Sequence, residues 1–111
     1  MSSLLREDQV QAAFDWLHEN SDRIGAARGQ VIRLEYKVKR VLARKMLAAL
    51  GPEWQRKAEA TCDPEYEAIC EDHADAEATW ETLRDTRNKC ELILEAWRTL
   101  SANDRGLRKV G

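Results

Sequence analysis

The sequence predicts an all-α fold: a short N-terminal helix, then a long antiparallel helical hairpin of coiled-coil type, closed into a bundle by oligomerisation. Three observations predict it. The 111 residues include only five Gly and two Pro, too few breakers for a many-turned β-domain. Hydrophobic residues make up 43% and charged residues 34%, a composition suited to long helices and too apolar for a disordered tail. Between Tyr66 and Trp97 the core candidates recur in steps of three and four without a break. The length allows a single domain over residues 1–111, with little room for a buried pocket and a full catalytic apparatus.

The first helix is expected over about residues 5–20. Val10, Ala13, Phe14 and Leu17 recur at helical spacing, and Trp16 sits beside that stripe. Asn20-Ser21-Asp22 is the first punctuation, where Ser21 or Asp22 can cap a new helix by accepting from a free backbone N–H.

The second helix is expected over about 22–50. Ile24, Ala27, Val31, Leu34, Val38, Val41, Lys45 and Ala48 form a heptad seam with one polar member, and Leu42, Met46 and Ala49 broaden it. Gly25 and Gly29 weaken its first turns by about 1 kcal/mol each relative to Ala. Gly51-Pro52 stops it, because Gly suits a left-handed C-terminal position and Pro cannot continue the hydrogen-bond ladder.

Residues 52–60 can form a short helix with Trp54 packing inward. Cys62-Asp63-Pro64 then reads as a stop followed by a start, with Asp63 as N-cap and Pro64 at the first helical position. The third helix is expected over 64–102, roughly 58 Å at 1.5 Å per residue. Its seam is Tyr66, Ile69, His73, Ala76, Trp80, Leu83, Arg87, Cys90, Leu94 and Trp97. A helix this long needs the second helix folded back on it, and its apolar seam predicts a partner or oligomer interface at Trp80, Leu83, Leu94, Trp97, Val31, Leu34 and Val38. A hairpin folded near residue 58 would bring Lys45 to Asp72 or His73, and Arg87 to Val31 and Glu35. Such polar seam residues either snorkel to the rim or set register and oligomer state. Residues 103–111 carry no apolar periodicity and are expected to form a flexible basic tail.

The net charge of −2 conceals a segregation. Residues 28–45 hold seven bases and one acid, Glu35, a balance of +6. Residues 53–85 hold eleven acids and three bases, a balance of −8, and residues 98–109 return to +3. Arg33, Lys37, Arg40 and Arg44 step by four, three and four, forming a basic stripe about 16 Å long, offset from the apolar seam. Two readings of this stripe stand side by side. It can pair with the acidic third helix, within one chain or between chains. It can also meet a nucleic-acid backbone, with salt-sensitive, sequence-independent affinity, helped by Arg105, Arg108 and Lys109 in the tail.

No P-loop, GxSxG, HExxH or GxGxxG pattern occurs, and no Glu-x-x-His pair that a di-metal bundle would require. Cys62, Cys70 and His73 lack a CxxC pair and a fourth ligand, so Cys70 and Cys90 read as small apolar helix residues. The expectation is a protein without catalytic activity, metal or cofactor. With no apolar run long enough for a signal or a membrane span, the cysteines are expected reduced and the location cytoplasmic.

Four segments stand out: Leu34-Glu35-Tyr36, the basic run ending Lys45-Met46, Cys62-Asp63-Pro64-Glu65-Tyr66, and Glu95-Ala96-Trp97-Arg98-Thr99-Leu100-Ser101-Ala102-Asn103. Together they resemble small all-helical bacteriophage proteins encoded near recombination or replication genes. The layout is similar to the UvsY recombination-mediator family: a basic long helix, a Gly-containing loop, and a second long helix with a Trp near its end. The resemblance covers roughly two-thirds of the chain. The N-terminal helix with Phe14 and Trp16 has no counterpart in it. It implies an oligomer that helps load a recombinase or replication protein onto single-stranded DNA, with Arg33, Lys37, Arg40 and Arg44 as the DNA face. A contrasting expectation is an adaptor, scaffold or inhibitor that uses its acidic helix to contact a host enzyme, independent of nucleic acid.

Overall fold

The structure, a computed structural model, describes residues 6–110, with the side chains of residues 107–110 outside the description. It is all-α. Three helices follow in order: α1 (Glu7–Ala48), α2 (Glu53–Thr61) and α3 (Pro64–Val110). Among the described residues there is no strand.

The expected break at Asn20-Ser21-Asp22 is absent, and the two helices expected over 5–20 and 22–50 are one helix of 42 residues. The reason lies in which way the polar side chains turn. Asn20 Nδ2 donates to the Trp16 carbonyl at 2.9 Å, and Ser21 Oγ donates to the His18 carbonyl at 3.5 Å. These side chains bond back onto the preceding turn, as mid-helix polar residues can, so neither caps a new start. The helix also runs through Gly25 and Gly29, with Ile24 and Val31 buried on either side of them. At its N-terminus the Arg6 backbone N–H donates to Gln9 Oε1 at 3.1 Å, half of a capping box, and Glu7 and Asp8 complement the helix dipole. The expected flexible tail over 103–111 is likewise helical as far as Val110.

The turn after α1 is made by Gly51, whose φ of 110° is left-handed backbone that an L side chain adopts only with strain. An added Cβ there would meet Gln55 Oε1 at 2.9 Å. Pro52 precedes α2 in extended conformation. Asp63 caps α3: its Oδ1 accepts the Glu65 backbone N–H at 2.8 Å, and Pro64 occupies the first helical position.

The chain forms two compact units. Among the described residues, one comprises 6–24 and 82–110, the other Gly25–Glu81. In the first, Val10 and Ala13 of α1 bury against Cys90 and Leu94 of α3, with Trp16, Leu17 and Ile93 packed beside them. In the second, Val31, Leu34 and Ala60 are buried, and Val38, Val41, Leu42, Ile69, Ala76 and Trp80 are half-buried. The guanidinium of Arg28 lies 5.6 Å from the Trp80 ring centroid, within cation–π range.

Most of these are seam positions that the spacing predicts; Ala60 and Ile93 are not, and Phe14, Trp54 and Trp97 are more exposed than it predicts. Phe14 is 52% exposed, on the flank of the stripe formed by Val10 and Ala13. Trp54, expected to pack inward, is 74% exposed. α2 turns Ala60 toward the core, and a residue six positions earlier on a helix lies about 120° round from it.

Candidate nucleic-acid interface

The basic stripe rides on the solvent side of α1 in the second unit. Val31, Leu34, Val38 and Val41 face α2 and α3, which leaves Arg33, Lys37, Arg40 and Arg44 exposed on the other flank. The fold treats the four differently. Arg33 lies back along its own helix and donates to Gln30 Oε1 from Nε at 3.3 Å and from Nη2 at 3.2 Å. It passes over Gly29, where a Cβ would lie 3.4 Å from the guanidinium, an ordinary van der Waals contact. Lys37 shares a shallow cleft with Asp72 and Asp75 without forming an ion pair to either. Arg40 likewise has no ion pair among the described residues.

Arg44 has an internal partner. Its Nη2 donates to Glu65 Oε1 at 2.6 Å. Beside it Lys45 Nζ lies 3.3 Å from Asp63 Oδ2 and 3.0 Å from Glu65 Oε2. This clasp joins the last turn of α1 to the first turn of α3. The hydrogen bond to Glu65, then that to Asp63, raises the Lys45 pKa above the usual lysine value. The bond from Arg44 and then that from Lys45 lower the Glu65 carboxyl. For Asp63, partial burial pushes the carboxyl up, but the Glu65 backbone N–H and the Lys45 ammonium outweigh it and the net shift is downward.

The clasp corrects the expected hairpin register. Lys45 meets Asp63 and Glu65 rather than Asp72 or His73. His73 instead lies 3.7 Å from Glu77 on its own helix. Residues 53–61 coil into α2, so α3 begins close to the end of α1 and the residues opposite each other shift accordingly.

The remaining basic candidates do not join the stripe. Arg105 is exposed in the first compact unit, and Arg108 and Lys109 have side chains outside the description. Of the expected interface residues, Val31, Leu34, Leu83 and Leu94 are buried by the chain's own helices. Val38 and Trp80 are half-buried, and Trp97 keeps 42% of its surface. Of the cysteines, Cys62 is exposed, Cys70 half-buried and Cys90 buried. Burial raises the Cys90 thiol pKa.

The structure adds residues that the stripe alone does not mark. Arg33, Tyr36, Lys37, Lys39, Arg40 and Ala43 line one open groove with mainly apolar walls. Tyr36 is 61% exposed, with the Lys39 ammonium 6.0 Å from its ring centroid. The signal for it was present in the sequence: an aromatic residue off the apolar seam, three residues after Arg33 and four before Arg40. No family model matches the chain, and no curated protein or solved structure is significantly similar to it.

Proposed function

We propose that this chain is a non-enzymatic, phage-type accessory protein of DNA recombination or replication. It binds single-stranded nucleic acid through the basic face of α1 and engages a partner protein such as a recombinase. The observation that carries the reading is the exposed set Arg33, Lys37, Lys39 and Arg40, none of which forms an ion pair among the described residues. A stripe that existed to bind the acidic helix within the chain would be neutralised there, as Arg44 and Lys45 are. Cations left in water on one helix face instead suit a phosphate backbone.

Self-association belongs to the same proposal. Among the described residues, Ile32, Leu47, Leu50 and Leu92 are exposed. Apolar side chains left in water on helix faces suit burial against a second copy of the chain. Light scattering of the purified protein should report an oligomer; a monomer at micromolar concentration would sink this part.

The decisive test is binding of a labelled oligo-dT strand across a salt series, with the wild type and Lys37→Glu/Arg40→Glu. Binding that weakens with salt and is lost in the variant is expected. No binding by the wild type at low salt, or a variant that binds as tightly, would overturn the proposal.

A second reading rests on α3. Glu67, Glu71 and Asp75 are exposed at four-residue spacing, and none is ion-paired among the described residues. This stripe suits a basic protein surface, and such a chain would act as an adaptor or inhibitor. Affinity capture with and without nuclease separates the readings: a nuclease-resistant protein partner without DNA affinity favours the second.

A further inference from the structure

We infer that Tyr36 is a base-stacking residue, and that the groove around it takes one unpaired base of a single strand while the flanking lysines and arginines hold its phosphates. This rests on the nucleic-acid reading above and deepens it. A stripe of cations does not distinguish a single strand from a duplex, because both present phosphates. Stacking on an aromatic ring does, because the face of a base is open only when the base is out of the duplex.

The placement of Tyr36 supports the inference in three ways. First, the ring has no part in the core. The seam of α1 passes through Leu34 and Val38, and Tyr36 lies two residues from each, about 200° round the helix. A ring 61% exposed on that side is not required for packing. Second, the groove has the right walls. The ring and the aliphatic stems of Arg33, Lys37, Lys39 and Arg40 make the sides. Ala43, two turns beyond Tyr36 on the same face, is small and leaves the space beside the ring open. Third, the charge in the groove has one sign. Glu35, the one acid among residues 28–45, does not line it. The Lys39 ammonium, at 6.0 Å from the ring centroid, is at the outer limit of cation–π contact. A stacking base displaces it and brings its own phosphate within reach.

The test uses two strands of equal length, oligo-dT and an abasic strand with the same phosphates and no bases, each read by anisotropy of a terminal dye. Wild type should bind oligo-dT more tightly than the abasic strand. Tyr36→Ala should weaken oligo-dT binding by roughly 5- to 160-fold, the range of one lost base–aromatic stack, with the salt slope unchanged. It should leave the abasic strand unaffected, and Tyr36→Phe should bind like wild type. Circular dichroism checks that each variant stays helical. If Tyr36→Ala binds oligo-dT like wild type while Lys37→Glu/Arg40→Glu does not bind it, the stacking role fails and the phosphate reading survives. Equal loss on both strands assigns Tyr36 to helix integrity and also overturns the inference. If wild type binds neither strand at low salt, both readings fall together.

Discussion

Two stretches of α1, a few residues apart, carry the same kinds of side chain and meet different fates. Around Tyr36 the cations Arg33, Lys37, Lys39 and Arg40 remain in water and surround an open groove. One turn further on, Arg44 and Lys45 are clasped by Glu65 and Asp63 at the start of α3. Nothing in the local sequence separates the two groups, since Arg44 continues the spacing of Arg33, Lys37 and Arg40. The difference is made by the Gly51 turn and by α2, which deliver the N-terminus of α3 to the end of α1 and no further. A regular stripe of charge is therefore not one functional unit: its last member helps hold the hairpin together.

The largest expected effect separates the two stretches by binding. Lys37→Gln/Arg40→Gln should lower affinity for a single strand by roughly 50-fold at 50 mM salt and flatten the salt slope by about 1.4, the share of two phosphate contacts. Arg44→Gln should change it by less than about threefold, because that guanidinium is already engaged by Glu65. Equal losses from Arg44 and from Lys37 or Arg40, measured singly, would break the comparison.

The next effect is on the turn that builds the clasp. Gly51→Ala forces an L side chain into left-handed backbone and against Gln55. It should cost about 1–2 kcal/mol, read from urea unfolding. An unchanged midpoint would mean that the turn does not set the register.

Asp63 tests cap and clasp separately. Asp63→Ala removes both and should lower the thermal midpoint by a few degrees. Asp63→Asn keeps the N-cap and loses only the ion pair, so its midpoint should fall by less. Equal shifts would deny the cap a role.

The smallest effect is the pH dependence of the clasp. The Asp63 and Glu65 carboxyls titrate below their usual values, so their contribution is present above about pH 4 and is lost as acid passes the lowered values. Lys45 titrates above its usual value, so its contribution is complete below about pH 10 and is lost as the pH rises through the raised one. The stability difference between wild type and Lys45→Met should therefore be flat from about pH 5 to 10 and shrink on both sides. A difference that varied within that window would assign the effect to other groups.

Much of the architecture is legible in spacing. Val31, Leu34, Leu83, Cys90 and Leu94 appear as seam residues because helical periodicity is local, and the structure buries all five. Asp63 and Pro64 read as a helix start for the same reason. Asn20-Ser21-Asp22 was misleading because these residue types serve both caps and helix interiors. Which role they take depends on whether the side chain bonds forward or backward, and here Asn20 and Ser21 bond backward. Trp54 misled because an aromatic residue in a short helix says nothing of which face that helix turns inward. In the candidate site, the stripe was visible; Tyr36 was not marked as part of it, although an aromatic residue off the apolar seam between Arg33 and Arg40 was there to be read. The separation of the stripe into an open groove and a closed clasp was not visible.

The sequence by itself determined that this chain is helical, which faces of its long helices are apolar, and that its charge is strongly segregated. Each of these follows from residue type at short spacing along one helix. Only the tertiary structure decided which cations stay in water, because ion pairing depends on what another helix brings within about 4 Å. That in turn depends on where Gly51 turns the chain and on the length of α2 before Asp63 starts α3.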